Sequence, residues 1–171
     1  MIGKWLECYH ISLEKFDLVS RDTLSAAQSI FDPQSSHMRI HKPYWRLSPQ
    51  THRALDVSSY HYLFIKDNLN RIVFKGTQVD SEVNLLSMKN NSMKRLLFGG
   101  SQTVFDDAFW LDDNHIIVVG GEWLYRFVPE IWLIDLQNKT IQFYMYITVL
   151  PRYPKCNYKK IKFPDVIFTS K

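Results

Sequence analysis

The first candidate for chemistry is a group of four carboxylates, Asp106, Asp107, Asp112 and Asp113, which fall within eight residues. Calcium sites use clustered oxygen ligands, and glycosidases use paired carboxylates as acid and base. The alternating ligands and central glycine of a calcium loop are missing here, and the second pair precedes a strand, where aspartates commonly close a turn. We therefore interpret the group as turn-capping residues and keep a hydrolase that uses Asp106–Asp113 as the alternative function.

Two histidines and two cysteines are further candidates. His37 and His41 have the spacing of metal ligands on one helical face. The residues between them and the nearby Pro43 do not favour a helix, and no third ligand lies near in sequence, so we expect an exposed loop pair and no metal. Cys8 and Cys156 lie near opposite ends of the chain and could pair if the termini meet, but we expect two free thiols.

Other catalytic machinery is hard to find in the sequence. Ser101 follows two glycines without completing the G-x-S-x-G pattern of a nucleophile elbow, and neither cysteine has a local activating partner. A triad assembled from distant residues is left open. We predict no cofactor and favour a non-enzymatic function.

The segment Gly121–Pro129 is strongly aromatic for a connection between strands. We predict that Trp123, Tyr125, Arg126 and Phe127 bind a partner, because large aromatic side chains and arginine bury much area and can hydrogen-bond at one end. The alternative is a lengthened hairpin whose three aromatic side chains alternate onto the core or a neighbouring sheet. The favoured function is therefore a binding or protein-interaction module for a protein or small-ligand partner.

An internal repeat organises the middle of the chain. Phe105–Tyr146 is typical of four short strands, because runs of Ile and Val alternate with turns that contain Asn, Asp and Gly. Phe64–Phe98 is a weaker copy, offset by 44 to 48 residues, and the second copy has four extra residues between Gly120 and Glu130. The matched positions are Phe64 with Phe109, Asp67 with Asp112, Asn70–Gly76 with Asn114–Gly120, and Glu82–Met88 with Glu130–Leu136.

A period near 45 residues with four strands per unit is typical of a propeller blade. Trp110, Asp113 and Ile131–Leu136 resemble the W-x-x-D turn and the I-W-L-I-D-L strand of blades in Tol-associated and dipeptidyl-peptidase-type propellers. The resemblance covers residues 56 to 146 and implies one blade-like unit per repeat. A closed propeller needs roughly four or more blades, so we expect an antiparallel meander of about eight strands in a sandwich or partial barrel.

The whole chain also resembles a group of small bacterial proteins that commonly carry lipid-anchor signals. The segments that carry this resemblance are Glu7–Tyr9, Leu55–Val57, Lys94–Gly100 and Phe105–Trp110. It implies a bacterial origin and no particular activity. As written, the chain has neither a signal peptide nor an apolar run long enough to span a membrane, which predicts a soluble cytoplasmic protein. A longer native N-terminus would instead imply an exported or lipid-anchored one.

The sequence before the repeats predicts one helix. Glu14–Phe31 has apolar residues at helical spacing, Ser20 or Asp22 as N-cap, and Asp32-Pro33 as its end. Trp5–His10 alternates loosely and predicts an edge strand. We therefore predict one mainly β domain over residues 1–171. Its parts are the N-terminal helix and extended lead-in (1–55), the first repeat (56–100), the second repeat (105–150) and a basic tail (151–171).

Composition and charge fit this single domain. Apolar residues make up 46% and aromatic residues 15% of the chain, which supplies a core. Residues 151–171 carry a net charge of +5, whereas the whole chain carries +4. Residues 1–150 therefore sum to −1, and a nucleic-acid-binding surface is not favoured. Tyr153, Tyr158 and Phe163 interleave with lysines there, and we expect a solvated, partly flexible terminus. The oligomeric state is left open.

Overall fold

The computed structural model describes residues 2–148, 150 and 156–168. Strands make up 49% and helices 16%, which confirms the predicted mainly β class. Within these residues lie 13 strands and three α-helices, α1 (Ile2–Tyr9), α2 (Ser36–His41) and α3 (Tyr158–Lys162). The strands are β1 (Phe16–Thr23), β2 (Ala27–Ile30), β3 (Arg46–Leu47), β4 (Arg53–Asp56), β5 (Tyr62–Lys66), β6 (Ile72–Thr77), β7 (Ser81–Ser87), β8 (Ser92–Gly99), β9 (Thr103–Trp110), β10 (His115–Trp123), β11 (Phe127–Asp135), β12 (Thr140–Tyr146) and β13 (Ile167–Phe168).

The strands of the described residues form three sheets. The first sheet has the order β2-β8-β7-β4-β3, the second β1-β12-β11-β10-β9, and the third β13-β6-β5. Pairing is antiparallel throughout the first two sheets, whereas β13 runs parallel to β6. The expectation of about eight strands is therefore wrong in number, because strands outside the repeats join the sheets.

The two sequence repeats fold differently. The second repeat forms the uninterrupted meander β9–β12, as its turn signals predict. In the first repeat, the hairpin β5–β6 leaves the sheet, and β7 pairs with β4 instead. The hairpin leaves because Tyr62 and Phe64 bury one of its faces against Phe163 and Val166 of the C-terminal segment.

The predicted helix over Glu14–Phe31 is wrong, since this segment supplies β1 and β2. β1 extends the outer edge of the second sheet beside β12, and β2 extends the outer edge of the first sheet beside β8. Hydrogen bonds to two distant strands override the local helical spacing, and Ser20 Oγ donates to Asp22 Oδ2 at 2.9 Å instead of capping a helix. The segment thereby ties the two sheets together at their outer edges.

The predicted edge strand over Trp5–His10 is also wrong, because all of it except His10 lies in α1. Trp5, Cys8 and Tyr9 are buried at positions that share one helical face. This face packs against the second sheet at Phe127 and neighbouring apolar side chains. A helical burial period therefore prevails over the loose alternation in the sequence.

The first and second sheets pack face to face as a sandwich, and the described residues form no closed barrel. Val83 and Leu55 of the first sheet meet Ile116, Val118 and Ile134 of the second. Each fully buried side chain of this size stabilises the fold by roughly 1.5–3 kcal/mol. α1 covers the far face of the second sheet and α2 the far face of the first, so the layers run α1, second sheet, first sheet, α2.

A disulfide joins the two ends of the chain, so the expected free thiols are wrong. Cys8 and Cys156 are bonded with their Cα atoms 5.3 Å apart, across 148 positions of sequence. They meet because α1 and the residues leading into α3 lie on the same side of the second sheet. Among the described residues, the helices are all too short or too polar to cross a bilayer.

Removing this disulfide is expected to lower the free energy of unfolding by roughly 2–5 kcal/mol, because the unfolded chain regains the freedom of a long loop. The measurement is urea denaturation of the oxidised chain, the reduced chain and the Cys8→Ser/Cys156→Ser variant. Reductant should leave the double variant unaffected, which makes that variant the control. Equal midpoints for oxidised and reduced chains would contradict a stabilising role.

Candidate functional site

A β-bulge in β9 places two acidic side chains on one side of the second sheet. Val119 of β10 pairs with Asp107, but its neighbour Gly120 pairs with Phe105, which leaves Asp106 as the extra residue. Side chains on a regular strand alternate between faces, whereas a bulge lets two neighbours share a face. Asp106 and Asp107 both face α1 and α3 as a result.

Asp106 is bound by α1. Its Oδ2 accepts hydrogen bonds of 2.9 Å from Trp5 Nε1 and from Tyr9 OH, and only 4% of the residue is exposed. Burial raises the pKa of Asp106, and the two hydrogen bonds offset that rise only in part. Burial, followed by the charge of Asp106, also raises the pKa of the Tyr9 phenol. The carboxyl group thus fixes the position of α1 on the sheet.

Asp107 is surrounded by cations and is fully buried. Arg46 Nη2 and Nε donate to its two oxygens at 2.6 and 3.2 Å, and Tyr158 OH donates at 3.1 Å. Lys162 Nζ lies 3.6 Å from Asp107 Oδ1 and donates to the carbonyl oxygen of Asp106 at 2.6 Å. Burial alone would raise the pKa of Asp107, but Lys162 and Arg46 outweigh it and lower the pKa.

These residues form what we call the buried charge cluster: Trp5, Tyr9, Arg46, Asp106, Asp107, Tyr158 and Lys162. Its donors come from α1, β3 and α3, which are far apart in sequence. Carboxylates held in this way are typical of a structural ion cluster, in which loss of one partner leaves a buried charge uncompensated at a cost of about 3–5 kcal/mol. The cluster therefore holds the layers of the fold together.

The other two carboxylates of the sequence group lie in a different environment. Asp112 Oδ1 accepts hydrogen bonds from the N–H groups of Asn114 and His115 at 2.7 and 2.8 Å. Asp113 accepts from Ser48 Oγ at 2.7 Å. The expected turn role is seen at Asp112, whereas Asp106 and Asp107 belong to a strand. The four residues thus do not form one acidic group.

The two histidines lie in α2, so the expectation of an exposed loop pair is wrong. Ser35 caps this helix, since its Oγ accepts from the Met38 N–H at 3.2 Å. His37 is exposed, whereas His41 is fully buried. Burial lowers the pKa of His41 to about 4, which keeps the ring neutral at physiological pH. In the part of the chain that is described, no three His, Cys, Asp or Glu side chains are arranged to hold a metal.

Sequence reasoning missed the partner of His41. His41 Nδ1 lies 3.1 Å from Ser58 Oγ, which donates to Asp56 Oδ1 at 2.9 Å. Asp56 also accepts from the backbone N–H groups of Ser58 and Ser59 at 2.8 and 3.0 Å. An aspartate with serines two and three positions later is a turn signal that could have been found. Its contact with a histidine in α2 depends on tertiary structure alone.

The residues predicted to bind a partner divide into two groups. Tyr125 is 92% exposed, Leu124 55% and Trp123 39%, and Arg126 is exposed beside them. We call Trp123–Arg126, at the turn between β10 and β11, the aromatic tip. Phe127 is only 1% exposed, and its ring stacks on Tyr9 with centroids 4.8 Å apart. Phe127 is therefore a core residue that anchors the tip.

The basic tail is described only from residue 156 to residue 168, and Tyr153 lies outside that range. Within the range, the expectation of a solvated terminus is wrong. Tyr158 and Phe163 are buried, and Lys162 belongs to the buried charge cluster. The Lys159 ammonium lies 5.4 Å from the centre of the Tyr62 ring. The residues of this segment therefore cover the second and third sheets.

Comparison of the chain with protein families, curated proteins and solved structures gave no match. The resemblances to propeller blades and to small bacterial proteins remain predictions.

The bulge that turns both carboxylates to one side depends on Gly120. A Cβ at this position would lie 2.0 Å from the Val104 carbonyl oxygen and 3.0 Å from Phe105 Cα. We expect Gly120→Ala to lower the free energy of unfolding by about 1–3 kcal/mol or more, as overpacking does. Gly100→Ala is the matched control, since nothing lies within 4 Å of its Cβ position. Equal midpoints of the two variants in urea denaturation would show that β9 tolerates the clash.

Glu130, on β11, gives the fold a dependence on pH. Burial and then the charge of Glu122 raise the pKa of Glu130 from 4.5 to about 7. The folded state thus binds this proton more tightly than the unfolded state does. The stability that protonated Glu130 contributes is fully present below pH 4.5 and is lost as the pH rises through about 7. Glu130→Gln should therefore raise the melting temperature above pH 7 relative to the parent and flatten its dependence between pH 4.5 and 7. Glu14→Gln, at an exposed position, should change neither.

Proposed function

We propose that the chain is a non-catalytic binding module that docks on a protein partner through the aromatic tip. The observation that carries this proposal is the exposure of Tyr125, which is 92% accessible at the end of a hairpin. An aromatic side chain held in water gains burial only when another molecule covers it. Its neighbours Trp123 and Leu124 extend the apolar surface that a partner would cover.

The composition of the aromatic tip supports the same proposal. Trp, Tyr and Arg are the residue types most enriched at the energetic centres of protein interfaces. The exposed Arg126 guanidinium offers planar donors that match a carboxylate. We therefore propose a partner with an apolar recess for Tyr125 and an acidic group at its rim.

Two backbone hydrogen bonds and a ring contact also support the aromatic tip. The Trp123 N–H donates to the Gln102 carbonyl oxygen at 2.8 Å, and the Leu124 N–H donates to the Arg126 carbonyl oxygen at 3.1 Å. The Trp123 ring lies 5.1 Å from the buried Phe127 ring. A loop that is already ordered loses little conformational entropy on binding, which favours affinity.

The hydrolase alternative has weaker support. Asp106 and Asp107 are occupied by protein donors, and Asp112 closes a turn. A general acid or a nucleophile must reach its substrate.

The disulfide between Cys8 and Cys156 further favours an oxidising compartment for the proposed function, in keeping with the exported alternative.

A photo-crosslinking amino acid at position 125, introduced in the native cell, is expected to give a discrete protein adduct. The same group at Leu69 or Val79 should give none, although these residues of the β5–β6 region are 70% and 71% exposed. Thiol labelling of the same preparations under denaturing conditions should leave Cys8 and Cys156 unmodified, because their disulfide persists in an oxidising compartment. Identical adduct patterns at all three positions would reject the aromatic tip as a specific contact.

With the captured partner purified, Trp123→Ala and Tyr125→Ala should each weaken binding by about 2 kcal/mol, roughly 30-fold, as truncated hot-spot residues do. Calorimetric titration measures the change, and Leu69→Ala and Val79→Ala are the controls with comparable exposed area. Phe127→Ala is unsuitable, because emptying a core position costs about 3–5 kcal/mol of stability. Unchanged affinity of both tip variants would contradict the proposal.

A further inference from the structure

A cleft of about 400 Å³ lies between the first sheet and α2. Along β7, Val83 and Leu85 face the second sheet, so Glu82 and Asn84 face the opposite way and line the cleft. Its apolar walls are Phe31, Met38, Met93 and the ring of Tyr60, and His37, Ser59 and Gln78 are its other polar lining residues. Small-molecule sites commonly have volumes of roughly 300–1,000 Å³ with mostly apolar walls and a few polar groups, and this cleft has both features.

One of the polar groups in the cleft lacks a partner. Asn84 is 2% exposed, and its Nδ2 donates to Glu82 Oε2 at 3.3 Å. A carboxylate only accepts hydrogen bonds, so this contact fixes the orientation of the amide. Asn84 Oδ1 then has no hydrogen-bond partner within the described part of the chain. Buried acceptors are nearly always paired in native proteins, which makes this oxygen a site where a donor is missing.

The Glu82 carboxylate beside Asn84 is an acceptor as well. Glu82 is 6% exposed, and its Oε1 accepts from Arg95 Nη1 at 3.0 Å. The Arg95 side chain is 45% exposed, so water screens its charge more than that of the carboxylate. Ser59 also lines the cleft, but its Oγ donates its proton to Asp56. The floor of the cleft therefore offers lone pairs and negative charge.

We propose that this cleft binds a small ligand in which a protonated amine is joined to an apolar body. The amine would donate to Asn84 Oδ1 beside the Glu82 carboxylate, and the apolar body would pack between Met38 and Met93. An anionic ligand of the same shape would place its charge beside the Glu82 carboxylate and is discriminated against. The cleft shares no residue with the aromatic tip, so the two proposals stand or fall separately.

Benzylammonium and benzoate are probes of matched shape and opposite charge. In the full, oxidised chain with ¹³C-labelled methionine methyl groups, benzylammonium is expected to shift the Met38 and Met93 signals in a saturable way. Benzoate should bind at least about tenfold more weakly, since its carboxylate cannot donate to Asn84 Oδ1 and has the same sign of charge as Glu82. Equal affinities of the two probes, or no saturable shift with benzylammonium, would overturn the proposal.

Asn84→Leu removes the acceptor while it keeps the size of the side chain. It should weaken benzylammonium binding roughly tenfold or more, with an unchanged circular dichroism spectrum. Asn68→Leu, in an exposed turn outside the cleft, is the matched control and should bind as the parent does. Unaltered binding by Asn84→Leu would assign the missing donor to a water molecule and end the proposal. If Asn84→Leu does not fold, the comparison of the two probes on the parent chain decides alone.

Discussion

Two neighbouring carboxylates, buried on the same side of one strand, set the main constraint on this fold. The bulge at Asp106 turns both side chains away from the first sheet. A buried charge without partners costs several kcal/mol, so donors and cations must reach this point from elsewhere in the chain. They come from α1, from Arg46 and from α3. The disulfide closes the same junction covalently, so the two ends of the chain meet where the buried charge requires them.

The path of the N-terminal third follows from this junction. Once α1 lies on the second sheet, the chain leaves through a short 3₁₀ turn at Leu13–Lys15 and enters β1 beside β12. β2 then joins the first sheet beside β8. The consecutive strands β1 and β2 thus join the two sheets at their outer edges. The contact of Arg46 with Asp107 joins them at their inner edges. Loss of either contact would act on both sheets.

Local pattern predicted the second repeat and failed where partners are distant in sequence. The four short strands predicted within Phe105–Tyr146 correspond to β9–β12, because their side chains and turns suit a meander. The sequence of β1 predicts a helix instead, because the strand that completes β1, β12, lies far along the chain. The aromatic tip was found by composition, but the sequence could not separate the buried Phe127 from the exposed Tyr125. The unpaired oxygen of Asn84 carries no sequence signal at all.

The matched positions of the two repeats explain why a cleft forms on one sheet and not on the other. Glu82 and Asn84 of β7 correspond in the repeat to Glu130 and Trp132 of β11. Each pair lies on the corresponding face of its own sheet, which in the first sheet points away from the second sheet and in the second sheet points toward the first. In the second sheet that face is covered by the first sheet, and Trp132 fills the space between them against Phe105. In the first sheet the same face is covered by α2, a helix of six residues, together with Phe31 and Trp45, and the smaller Asn84 leaves the space open. The backbone repeat is therefore shared, while the difference in cover and in one side chain produces the site.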